Sequence, residues 1–106
     1  MTTQMVFCTV PNQPEAEKIA RTLVREKLVA CVNLVPRIKS FYWWKGKIES
    51  GNEVLLIMKT FSSKWRALEK RIQQLHSYTV PEILALPVQK GNKAYLDWMK
   101  DSLASR

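Results

Sequence analysis

The sequence predicts an α+β domain of βαββαβ order with one further helix at its C-terminus. Three observations carry that expectation. Apolar runs that read as strands alternate, in that order, with segments of 3.6-residue apolar period along a 106-residue chain. No shift in composition divides the chain, so residues 1–106 are expected to form a single domain. A long aromatic β-like stretch, Ala30–Trp44, is followed by Lys45-Gly46-Lys47, which suits a hairpin turn.

Each element has its own signal. Met5–Val10 is a short apolar run closed by Pro11-Asn12, a first strand. Pro14 and Glu15 suit the first turn of a helix. Ala16, Ile19, Ala20, Leu23 and Val24 recur on one of its faces, with Leu28 a turn later, while Glu17, Lys18, Arg21 and Arg25 take the other. Ala30–Val35 is β-like, Pro36 marks a bulge or an edge, and Ile38–Trp44 is β-like again. Ile48–Thr60 returns as a strand, with Gly51-Asn52 read as a bulge or second turn. Its inner part, Glu53–Met58, is apolar enough to be central and covered on both faces. Ser62 or Ser63 is expected to cap a second helix, striped by Trp65, Leu68, Ile72 and Leu75 inside and Arg66, Lys70 and Arg71 outside. A loop over His76–Pro81 leads to a fourth strand, Glu82–Val88, marked as an edge by Pro87. Gly91-Asn92 then opens a helix carrying Tyr95, Trp98, Met99 and Leu103.

This order is the split βαβ, ferredoxin-like pattern, an antiparallel sheet backed by helices. Its sheet places the first strand between the third and fourth, and the second outermost. Cys8 and Cys31 then lie on strands separated by a third, ~9–10 Å apart, too far for a disulfide.

The second strand outgrows the domain. A chain of this length has a radius of gyration near ~13 Å, whereas the stretch from Ala30 to Trp44 extends ~50 Å. Its tip carries Phe41, Tyr42, Trp43 and Trp44, so both faces are aromatic. Monomers seldom leave such a patch in water. The hairpin is therefore expected to pair with a neighbouring subunit.

Composition and motifs argue against several classes. The formal charge of +8 comes from 17 Lys and Arg against 9 Asp and Glu. Many of the cations sit singly on helix faces (Lys18, Arg21, Arg25, Lys70, Lys93), and no dense basic run suggests nucleic acid. RNA-recognition modules share the βαββαβ order but stack bases on aromatics of their central strands. Here Val54–Met58 is aliphatic, and only Phe7 decorates the first strand. An acylphosphatase-like hydrolase wants backbone amides after the first strand, where Pro11 and Pro14 supply none. His76 is the only histidine and no nucleophile–His–acid set stands out, so no enzyme is expected. Met1-Thr2-Thr3-Gln4 does not resemble a secretory signal. No apolar run approaches the ~20 residues of a membrane-spanning helix. The expected compartment is the cytosol.

Two residues suggest metal chemistry. Cys8 lies near the end of the first strand, and the fourth strand, its antiparallel neighbour, begins near that end just after His76 and Tyr78. Thiolate with imidazole favours copper or zinc over magnesium or calcium. One Cys and one His do not complete a tetrahedral site, so a second subunit, a backbone atom or water is required.

Taken together, Ala30-Cys31-Val32-Asn33, Ser40-x-Tyr42-x-Trp44-x-Gly46-x-Ile48, Glu53, Lys59-Thr60, His76-x-Tyr78-x-Val80-Pro81-Glu82-Ile83 and Tyr95-x-x-Trp98 resemble the CutA family of divalent-cation tolerance proteins. The resemblance runs nearly end to end. It implies a ferredoxin-like homotrimer, akin to the PII signalling proteins, whose long strands continue into neighbouring sheets. It also implies a cytosolic protein linked to copper and other divalent cations, with no agreed enzymatic activity. Cys8 and His76 are the metal ligands it implies; copper-binding members can show a second histidine where this chain has Leu75. It further implies an inter-subunit cleft lined by Tyr42, Trp44, Glu53, Lys59, Thr60, Tyr78 and Glu82, with Lys59 placed for an anion or for pairing with Glu53 or Glu82. A PII-like trimer that binds a small molecule or anion is the rival reading.

Overall fold

The computed structural model describes residues 2–104. Strand β1, Thr3–Val10, buries alternate side chains, and Val6, Cys8 and Val10 are wholly covered. Helix α1, Gln13–Arg25, begins where the extended Asn12 accepts a hydrogen bond from the Glu15 N–H, with Pro14 and Glu15 in the first turn. Ala16, Ile19 and Leu23 face the sheet, whereas Val24 falls outside the stripe and is exposed. Strands β2, Cys31–Trp44, and β3, Lys47–Phe61, form the long hairpin. Its turn, Lys45-Gly46, has positive φ at both residues, the geometry that matches strand twist.

Helix α2, Trp65–Leu75, follows a single 3-10 turn at Ser62–Lys64. Neither serine caps it as expected: the N-cap is Lys64, with no side-chain cap bond, and the Ser62 hydroxyl accepts instead from the Thr2 N–H. Strand β4 is Leu84–Pro87, shorter than Glu82–Val88. Prolines at 81 and 87 donate no ladder bond, and the Thr9 carbonyl further along β1 is taken by His76. Helix α3, Lys93–Leu103, is capped by Asn92, which accepts from the Tyr95 N–H.

The sheet order is β2-β3-β1-β4, antiparallel throughout, as the sequence predicts. The hairpin contains one bulge. Val35 pairs with Leu55 and Ile38 with Glu53, so Pro36 and Arg37 face Val54 alone, with Arg37 at φ 58°. Strand β3, by contrast, runs unbroken through Gly51-Asn52, which pair with Ser40 and Lys39; the irregularity expected there lies on the partner strand. The inserted residue exchanges the faces of β2. Val32 and Leu34 share the helix side with Met58 and Leu56, but Ile38, Ser40, Tyr42 and Trp44 share the opposite side with Glu53, Gly51, Glu49 and Lys47.

Both α1 and α2 cover the face that holds Val6, Cys8, Leu56 and Met58, where Leu68 and Ile72 complete the main core. This corrects the expectation that β3 is covered on both faces. Right-handed crossovers place both helices on one side, and Leu55 and Ile57 on the other are only half-buried. Helix α3 supplies a second, small cluster in which Met99 and Leu103 meet Ala30 and Phe61. Leu84 and Leu86 remain exposed on β4. The hairpin stretches the molecule to 45 × 26 × 23 Å, with a radius of gyration of 14.5 Å. Cys8 and Cys31 are unpaired, with β3 between their strands.

Candidate functional site

The loop after α2 crosses the end of β1 and is fastened by His76. Its Nε2–H donates to the Thr9 carbonyl at 2.7 Å, a position that β4 does not reach, and its Nδ1 accepts from the Tyr78 N–H at 3.0 Å. Those two partners require the neutral, Nε2-protonated tautomer. Glu15 Oε2 stands 3.6 Å from Nδ1 and accepts from the Ser77 N–H at 2.9 Å. The Tyr78 ring packs 4.7 Å from the imidazole, centroid to centroid, and its hydroxyl donates to Glu53 Oε2 at 2.9 Å. Partial burial and the Glu53 carboxylate hold that phenol above its ordinary range. The loop thereby joins β1 to β3.

Between this loop and the hairpin lies an open groove of ≈ 1080 Å³, lined by Tyr42, Trp44, Glu49, Glu53, Tyr78 and Glu82 among others. It contains three of the chain's nine acids and, among its lining residues, no Lys, Arg or His. Five of the seven cleft residues expected from the sequence meet here. Glu49 was not among them; its signal is the two-residue period that places it with Gly51 and Glu53, opposite Tyr42.

Lys59 and Thr60 lie elsewhere. Lys59 is six residues along β3 from Glu53, ~20 Å at ~3.3 Å per residue. Within the chain its ammonium bonds the Asn33 side chain and approaches Cys31 Sγ at 3.9 Å, and it does not meet Glu53 or Glu82 of the same chain. Thr60 is buried on the helix side, where its hydroxyl donates to the Leu28 carbonyl at 2.7 Å.

Cys8 and His76 do converge, both on the Thr9 carbonyl, which the thiol approaches at 3.7 Å. They do not form a ready metal pair. Cys8 is fully buried; burial pushes its thiol up to about 12, and Glu82, Glu15 and Glu53 add to the rise, so it stays protonated. Both imidazole nitrogens are engaged. Leu75 packs against the core. Among the described residues, no group of three or more His, Cys, Asp or Glu side chains is placed to hold a metal ion. The described side chains of a single chain therefore do not assemble a metal site.

Comparison with known proteins places this architecture. The sequence model of the CutA1 divalent ion tolerance protein family matches residues 4–102. The chain belongs to the CutA1 family. The divalent-cation tolerance protein CutA of Thermus thermophilus is 46% identical over 99 residues, which span 93% of this chain and 96% of the relative. The chloroplastic Protein CutA 1 of Oryza sativa is 47% identical over 98 residues, 92% of this chain and 55% of its own. The chain thus spans about half the length of the plant CutA relatives and nearly all of the Thermus one. A solved structure from Archaeoglobus fulgidus, described as a periplasmic divalent cation tolerance protein CutA, superposes with a TM-score of 0.94 at 43% identity, covering 96% of this chain and 99% of the other.

Proposed function

We propose that this CutA1 chain acts as a homotrimer that binds divalent metal ions, copper among them, in the cytoplasm, as a binding protein and not an enzyme. The observation that carries the reading is the groove, where Glu49, Glu53 and Glu82 are the only charged residues of the lining in a chain of net charge +8. Such a surface favours cations and disfavours the anion of the rival PII-like reading. Donors in this reading are pooled between subunits, since one chain places too few together. Cys8 and His76, the softest donors, become available to copper only where the loop from His76 to Pro81 leaves β1.

The molecular surface supports assembly. The chain exposes 7213 Å². A folded monomer of its mass, 12.3 kDa, is expected to expose about 6100 Å². The excess exceeds the ~800 Å² that one partner contributes to an interface of standard size. Two unpaired thiols suit a reducing compartment, and no described helix is long and apolar enough to cross a membrane.

Light scattering is expected to give three times the 12.3 kDa chain mass; a monomer at micromolar concentration overturns the trimer. In calorimetry, Cu²⁺ and Mg²⁺ binding should survive Cys8→Ser and weaken in the Glu49→Gln/Glu82→Gln double variant. Absence of binding by either ion overturns the metal reading, and loss confined to Cys8→Ser moves the site to β1.

A further inference from the structure

The carboxylates of the groove do not stand alone. Phe41, Tyr42, Trp44 and Tyr78 lie among them, more aromatic surface than a hydrated metal ion can use. One of these rings already receives an alkylammonium from its own hairpin: Lys45 Nζ stands 5.7 Å from the Trp44 centroid, within cation–π range. Charges and rings are also spread out along the trough. Glu49 and Glu53 share one face of β3 four residues apart, ~13 Å along the strand. Tyr42 sits across the ladder from Glu49, and Trp44 one same-face position nearer the turn, opposite Lys47. Tyr78 bonds Glu53 at the other end.

We propose that this groove binds a linear aliphatic polyamine, its ammonium groups on Glu49, Glu53 and Glu82 and its methylene segments against Tyr42 and Trp44. A lone quaternary ammonium wants rings gathered about one point, whereas here ring and acid sit together at two separated points, Tyr42 with Glu49 and Tyr78 with Glu53. The proposal rests on the cation-binding reading of the groove proposed above and adds a role for its aromatic half. A lysine-bearing segment of a second copy has the same chemistry, and the variants below distinguish it.

Spermidine titrated calorimetrically into the assembled full chain, at low and at physiological salt, tests this. Binding should be tighter than that of putrescine or Mg²⁺. It should fall about 10-fold or more in Glu49→Gln/Glu82→Gln, which removes two charged acceptors. Trp44→Leu should weaken spermidine about 2- to 5-fold and leave Mg²⁺ unchanged. Glu17→Gln/Glu69→Gln, which removes the same charge from the helix layer, should leave spermidine affinity intact. Equal loss in that helix-layer pair reduces the effect to nonspecific charge and overturns the proposal. No response to Trp44→Leu overturns it as well, with the metal reading untouched. Spermidine binding without Cu²⁺ or Mg²⁺ binding would instead sink the metal reading alone. Dissociation of the assembly in the groove variants, seen by light scattering, gives the groove to a neighbouring subunit and overturns the polyamine.

Discussion

The two faces of the sheet are built from the same strands yet are finished differently. Under α1 and α2, Val6, Cys8, Leu56 and Met58 are wholly buried, while Leu55 and Ile57, next to them on β3, stay half-buried and Leu84 is 61% exposed. The sequence makes both faces apolar, but the chain supplies helices enough for one. Along the hairpin neither face is covered, with Trp43 on the helix side 73% exposed and Trp44 on the other 58%. One region is a completed core; the other is an apolar surface left open by the chain's own helices.

The largest effect should separate these regions most clearly. Leu56→Ala removes a fully buried side chain from the helix-covered face and is expected to cost about 2–5 kcal/mol. Trp43→Ala should change the stability of dissociated chains by no more than about 0.5 kcal/mol, as exposed positions usually do, while weakening assembly. Denaturant midpoints below the dissociation concentration, with light scattering above it, check both. A Trp43→Ala loss as large as that of Leu56→Ala would place the hairpin within the chain's own core.

A middle-sized effect is expected at the junction of the two regions. His76→Ala leaves the buried Thr9 carbonyl with only the weak Cys8 thiol as a side-chain donor, which costs about 1–3 kcal/mol. It also frees the Tyr78 amide, so hydrogen exchange at Ser77 and Tyr78 should quicken. His76→Gln, which keeps a donor, should recover part of the stability. Unchanged exchange in His76→Ala would mean that the loop is held by its other contacts, Glu15 to Ser77 and Tyr78 to Glu53.

Periodicity made the strand order and the long hairpin legible, because both follow from which residues are apolar and at what spacing. Pro36 announced the bulge, but the exchange of faces beyond it needed the register, and Gly51-Asn52 carried a turn signal that the intact ladder overrode. Lys59 and Glu53 share a strand face, and a motif written in one dimension does not show the six residues that keep them apart. The meeting of Cys8 and His76 followed from antiparallel adjacency; that both spend themselves on Thr9 is a tertiary fact. An apolar β3 was read as covered on both faces because its run of apolar residues does not show which face the chain's own helices reach.

The smallest effect tests whether loop and groove act as one unit. Tyr78→Phe removes only the hydroxyl that donates to Glu53, a net loss of roughly 0.5–1.5 kcal/mol. The low end is expected, since Tyr78 is 37% exposed and solvent replaces part of the bond. Its pH dependence has a definite sign. The folded phenol titrates above its ordinary 10.0 because burial and Glu53 disfavour the phenolate. The protonated donor therefore stabilises the fold fully below pH 10, and that contribution is lost as pH rises through the folded value. The gap in denaturant midpoint between wild type and Tyr78→Phe should be constant from pH 7 to 10 and narrow above it. If the gap stays flat into strong alkali, the bond to Glu53 contributes nothing. If it exceeds the loss in His76→Ala, Tyr78 fastens the loop and His76 only fills the space beside Thr9. The groove would then be held from the hairpin side, and the completed core would have no part in shaping it.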